Sequence, residues 1–143
     1  MSMRQEDKEL LLKDLCARLP YGVKAKYYGS AEECECCDTI EGIYPMDDEI
    51  VIGQYGLSVD MIKPYLFPLS GMTEKQKEEL KYEISKQTEI LIERMKNDDC
   101  GIDCGKYHFH SIFELKWLLK NHFDIYGLIP KGLAIDATGL NIY

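Results

Sequence analysis

The chain has 143 residues, an apolar fraction of 45%, a formal charge of −8 and six cysteines. This length suits one compact domain over 1–143, or a helix-plus-barrel part over 1–70 sharing a core with a helical and tail unit over 71–143. The acidic balance argues against a broad nucleic-acid surface, which needs clustered Lys and Arg. The polar start from Met1 to Glu9 and the lack of a long apolar run argue against a secretory leader or a membrane span. A cytoplasmic protein with reduced cysteines is therefore expected.

The spacing predicts a first helix from about Gln5 to Leu19. Leu11 and Leu15 lie one turn apart, and Leu12 and Leu19 widen the stripe. Glu6, Asp7, Lys8, Lys13 and Arg18 are assigned to the solvent side, and Cys16, beside the stripe, to the core. Pro20, Tyr21 and Gly22 end the helix. A strand-rich block follows. Residues 23–28 alternate apolar and basic, 38–44 and 49–54 read as strands joined through a tight turn at Pro45 to Asp48, and 56–60 adds a shorter strand. A helical turn is expected at Met61 to Lys63, and an extended linker between Pro64 and Pro68. Several short strands in succession leave exposed edges in a flat sheet. A small curled antiparallel sheet, or an SH3-like or OB-like barrel, disposes of them.

Thr73 and Gln76 form a capping box at the head of a long helix, with Leu80, Ile84, Leu91, Ile92 and Met95 on its apolar face. The opposite face carries Glu78, Glu79, Lys81, Glu83, Lys86, Glu89 and Glu93, the most acidic candidate surface for a partner. Residues 97–105 read as a loop and Lys106 to His110 as a strand. Ser111 and Glu114 form a second capping box, opening a helix that runs to about Lys120. Its stripe is Ile112, Leu115, Leu118 and Leu119, with Trp117 half-buried and Asn121 and His122 closing it. Gly127, Pro130 and Gly132 then punctuate a tail expected on the surface, anchored by Leu128, Ile129, Leu133 and Ile135. The expected class is α+β: a curled antiparallel sheet or SH3-like barrel packed with an N-terminal helix, a long central helix and a C-terminal strand–helix–tail unit.

Cysteines fall in two groups, Cys34, Cys36, Cys37 and Cys100, Cys104, with His108 and His110 after the second. Zinc takes thiolate and imidazole ligands in a tetrahedron, so these seven residues are the candidate metal ligands. Against that, neither group has the CxxC spacing of a zinc knuckle. Glu32, Glu33, Glu35 and Asp38 surround the first group, and Asp98, Asp99 and Asp103 the second, and such charge raises a thiol pKa rather than activating it. The 97–105 loop lacks the alternating oxygen ligands and closing Glu of a calcium loop. Lys24, Lys26, Tyr27 and Tyr28 give only a local basic and aromatic patch. His108, His110, His122 and Asp124 are the groups available for hydrolysis, but no nucleophile, phosphate-loop, dinucleotide or metalloprotease motif accompanies them. No catalytic or cofactor-binding residue is assigned on these grounds.

Three blocks, Leu10 to Gly22, Lys63 to Met72 and Trp117 to Ile135, resemble a family of short bacterial proteins of unassigned activity. That family is common in gut anaerobes and in their phages and mobile elements. The blocks are spread over most of the chain. The resemblance transfers no catalytic residues, and it implies an accessory role in a mobile-element setting. The expected function is non-catalytic contact with a protein partner. The alternatives are a zinc-stabilised binding protein and a small hydrolase.

Overall fold

The computed structural model describes residues 3–28, 35–53, 55–97 and 110–143. Among these the chain is α+β, with helices α1 (Gln5–Arg18), α2 (Glu74–Asn97) and α3 (His110–Lys120). Its strands are β1 (Lys24–Tyr28), β2 (Glu35–Tyr44), β3 (Glu49–Ile52), β4 (Tyr55–Ser58), β5 (Ile62–Leu66) and β6 (Ile135–Asp136). They form one sheet in the order β4-β3-β2-β1-β5-β6, antiparallel except for the parallel pair β5–β6.

Alternation builds the inner face of this sheet. Val23, Ala25 and Tyr27 are buried, as are Ile50, Ile52, Ile62, Pro64 and Leu66, while Lys63 faces solvent. In β2 a bulge at Glu41 changes the parity, because Ile40 pairs with Ile52 and Gly42 with Val51. Ile40 and Ile43 therefore both pack on the core although they are three residues apart. The β2–β3 connection is the expected tight turn, a 3-10 turn over Pro45–Asp47 closed by Asp48 at φ 52°.

The sheet is open, which departs from the expected closure into an SH3-like or OB-like barrel. The outer edge of β5 is taken by β6, at Tyr65↔Ile135 and Leu66↔Asp136, so it is not available to β4. The region around Pro64 also differs from expectation. The 3-10 turn covers Val59–Met61, and residues 62–66 form a strand rather than a linker. Pro64 fits there because β6 pairs only with Tyr65 and Leu66, and that ladder loses no bond to the missing N–H.

Helix α1 lies on the sheet through Leu11, Leu12 and Leu15, and Gly22 at φ 73° supplies the left-handed stop that the Pro20 to Gly22 signal anticipated. Two positions correct the solvent and core assignments. Cys16 is exposed, and Arg18 is fully buried. The Arg18 guanidinium is paired with the equally buried Asp14, Nε to Oδ2 at 2.7 Å and Nη2 to Oδ1 at 3.0 Å. Nη2 also donates to the Phe123 carbonyl at 2.5 Å, tying α1 to the chain beyond α3.

That chain is not a surface tail. Phe123, Asp124, Leu128, Leu133, Ala134 and Ala137 are buried. Residues 122–124 run beside β5: Phe67 N–H donates to His122 O, and Asp124 N–H to Phe67 O, both at 2.8 Å. Ala137 N–H then reaches Leu66 O at 2.8 Å.

Helix α2 opens with the predicted reciprocal cap. Thr73 N–H donates to Gln76 Oε1 at 2.9 Å, and Gln76 N–H to Thr73 Oγ1 at 3.2 Å. Helix α3 starts at His110, so that residue is helical rather than the end of a strand. The stripe expected on α3 is also displaced. Trp117 is buried and stacks on Phe123 at 5.7 Å and 15°. This seats Leu119 on the body and leaves Ile112 and Leu115 exposed.

Asp14→Ala strands the Arg18 guanidinium without a counter-ion. It is expected to cost about 3–5 kcal/mol in urea unfolding. Replacing both partners, Asp14→Leu with Arg18→Met, removes the desolvation penalty along with the attraction and is expected to cost less than the single change. A double variant as unstable as Asp14→Ala would show that the pair does not carry this junction.

Candidate functional site

Only part of the expected metal set can be located. Cys34, Cys100, Cys104 and His108 lie outside the described residues, as does the 106–109 part of the expected strand. Cys36 is in β2 and His110 opens α3, and nothing is described of either side chain. Cys37 is exposed on β2, cross-strand from Lys26. Desolvation pushes its thiol pKa up, and Asp38 adds to the rise against the pull of Lys24. Among the described residues no three Cys, His, Asp or Glu side chains gather as metal ligands would.

His122 and Asp124 are placed in full, and each is committed elsewhere. Asp124 accepts the Leu128 N–H at Oδ1 (2.8 Å) and the Ile129 N–H at Oδ2 (3.0 Å), so both oxygens fix the turn that follows. His122 sits at φ 64° and stacks face to face on the Tyr143 ring, 3.6 Å between centroids and 8° between planes. No hydrogen bond joins His122 to Asp124 among the described residues.

The Tyr143 hydroxyl is wedged between two strands. It accepts the Lys24 N–H at 2.9 Å and donates to the Tyr65 carbonyl at 2.7 Å, bridging β1 and β5, while Lys24 Nζ donates to Ile142 O at 3.0 Å. Burial of that hydroxyl raises its pKa to about 12. The His122 pKa falls to about 4, first from desolvation and then from the charges of Arg18 and Lys24. The geometry agrees, because His122 Nδ1 is buried without a partner. A protonated ring would leave an N–H there with no acceptor. Burial likewise raises the Asp14 pKa, against the hydrogen bonds and charge of Arg18.

This cluster is a latch. Trp117, Phe123, Phe67, Tyr143 and His122 form a continuous run of ring contacts from α3 to the sheet. A neutral imidazole of lowered pKa is a weak base, and the Asp124 carboxylate, filled by two amides, is not bonded to it as a dyad would require. Sequence reasoning missed the parts played by Asp14, Arg18 and Tyr143. A signal for the first two was present, since Leu11, Asp14, Leu15 and Arg18 share one helical face.

Among the described residues, two of the open surface clefts are lined by charged side chains. One, of about 280 Å³, is lined by Lys26, Asp60, Met61 and Lys63, where Lys26 and Lys63 are cross-strand partners on β1 and β5. The other runs between α2 and α3. Its two parts, about 440 and 300 Å³, share Gln87, Phe113 and Lys116. Early α2 residues face late α3 residues and the reverse, so the helices form an antiparallel hairpin. Glu79 and Glu83 stand on the α2 wall opposite Lys116 and Lys120 on the α3 wall. Ile90 and Ile112, both exposed, lie toward the other end.

Comparison with family models, curated proteins and solved structures returns no match for this chain. No helix among the described residues is long and apolar enough to cross a membrane.

Lowering the pH protonates His122 in the unfolded chain from about 6.5 downward, but in the folded chain only near about 4. The unfolded state therefore binds more protons in that window, and stability falls with pH there. Discounted for the half-exposed ring, the expected loss from His122 between pH 7 and 4.5 is about 1–2 kcal/mol. Asn tolerates the left-handed backbone, so His122→Asn is expected to unfold with a visibly flatter pH profile by chemical denaturation. Parallel profiles for the two proteins would remove His122 from the acid response.

Proposed function

We propose that this protein works by non-catalytic protein–protein contact, and that the α2–α3 hairpin is its contact element. One observation carries the reading: no α2 residue from 74 to 94 is buried, although the helix bears a regular apolar stripe. Leu80, Ile84, Leu91 and Ile92 reach only half burial, and Tyr82 and Ile90 are exposed. Most helical stability in proteins comes from packing an apolar face, so a long helix left this open gains from a further surface. The groove suits an amphipathic helical partner, with an acidic and a basic wall at one end and Ile90, Leu91 and Ile112 at the other. The commitments of His122 and Asp124 weigh against the hydrolase alternative. The mobile-element resemblance fits an accessory protein that acts by contact.

The strand order β4-β3-β2-β1-β5, with a 3-10 turn leading into β5, supports reading the sheet as a relative of the small SH3-like barrel, held open by β6. In that reading the sheet is a scaffold and the hairpin is the working part.

A photo-cross-linking residue at Ile90 or Ile112 is expected to give a discrete adduct in cells, and one at exposed Lys131 is expected to give none. Groove positions that yield no adduct beyond the Lys131 background would overturn the reading. The contact reading also expects the melting temperature to be unchanged by chelator. Stoichiometric zinc with a drop of about 5 °C or more, roughly 1 kcal/mol for a chain this size, would transfer the case to the cysteine groups.

A further inference from the structure

We infer that the partner in the α2–α3 groove is a second copy of this chain, and that two hairpins close face to face as a two-fold four-helix bundle. The inference rests on the contact reading above and goes further by naming the occupant.

Charge placement carries it. Within one chain Glu79 and Glu83 form one wall, Lys116 and Lys120 form the other, and no ion pair bridges them among the described residues. A two-fold axis parallel to the helices lays each α2 over the partner's α3 and keeps the height of every residue along the bundle. The acidic wall of each copy then meets the basic wall of the other, level by level, and each pairing occurs twice, as an isologous contact requires. An axis perpendicular to the helices would invert the heights and separate these charges from one another. Exposed Ile90 and Ile112 fill the seam beyond the charged rows.

The net charge points the same way. Helix α2 has six acidic and six basic residues, and α3 has one Glu and two Lys, giving +1 for the pair. With −8 on the whole chain, the remainder carries −9. The remainder taken as a whole is net acidic and would repel a second copy, whereas the near-neutral hairpins meet without that net repulsion.

Sedimentation equilibrium on the full chain, from about 1 to 100 µM, spans the range where such a contact is populated. The expected mass moves from 16.5 kDa to twice that value with rising concentration. Glu83→Lys and Lys116→Glu each turn two attractive pairs repulsive. Each alone is expected to weaken the dimer about tenfold or more, and together they are expected to restore it to within about threefold. If either single variant melts early, Glu79→Lys with Lys120→Glu gives the same exchange one turn away. A monomer throughout, or a dimer indifferent to the single exchanges or not rescued by the double, overturns the inference. Photo-adducts at Ile90 of a mass other than two chains, on a monomeric protein, would sink the dimer and leave the contact reading standing.

Discussion

A guanidinium with no solvent exposure sits where α1 meets the chain leaving α3, and the arrangement of the remaining elements follows from how it is satisfied. Taking that charge out of water costs several kcal/mol, which only a near, well-oriented anion and further hydrogen bonds offset. Asp14, one turn earlier on α1, supplies the anion with two bonds. The Phe123 carbonyl supplies the third acceptor from 105 residues away. Apolar side chains of the same volume would fill the space, but they would not select which carbonyl docks on the helix. With Phe123 fixed, His122 O and Asp124 N–H fall opposite Phe67, Asp124 can turn the chain through its two amide bonds, and residues 135–136 arrive in register on β5.

That chain of consequences also explains why the sheet is open. β6 contributes two residues, yet it occupies the edge that a closing barrel would need, and Tyr143 then clamps β1 to β5 from outside. The latch and the hairpin share one joint, the stack of Trp117 on Phe123. On one side of it the hydrophobic core is closed over by α1, the sheet and residues 128–137. On the other side α2 remains half covered. The closed core and the half-covered apolar surface thus lie in two parts of the structure joined at this stack.

What the sequence made legible was local. The Thr73/Gln76 cap, the stop after α1, the alternation through Val23, Ala25 and Tyr27, and the turn at Pro45 to Asp48 each depend on neighbours a few residues away, and each forms as read. What failed depends on partners far along the chain. Arg18 reads as a solvent charge beside the dipole end of a helix, because its third acceptor is in another block. The stretch from Phe123 onward reads as surface because its glycines and proline break periodicity, although its burial comes from non-periodic single anchors. Glu41 shifts the strand by a bulge that no alternating pattern reveals. His122 and Asp124 were legible as residues of interest, but their roles were not, since those are set by the Tyr143 ring and by the amides of Leu128 and Ile129.

The same physics separates the two kinds of polar group in this protein. Inward-facing ones are engaged: Asp14, Arg18 through Nε and Nη2, Asp124 and the Tyr143 hydroxyl spend hydrogen bonds on fixed internal partners, and desolvation holds His122 neutral. A group so engaged has little left to offer a substrate, because any new interaction must replace one already made in a low-dielectric setting. Groups with free capacity lie on the hairpin walls, where Glu79, Glu83, Lys116 and Lys120 face an open groove. Exposed charges in rows are poor catalysts, since water and salt screen their fields. They do select orientation and partner when a second row of opposite sign comes to the same height. Polar capacity that is engaged inside and left open along this groove supports the proposed contact reading.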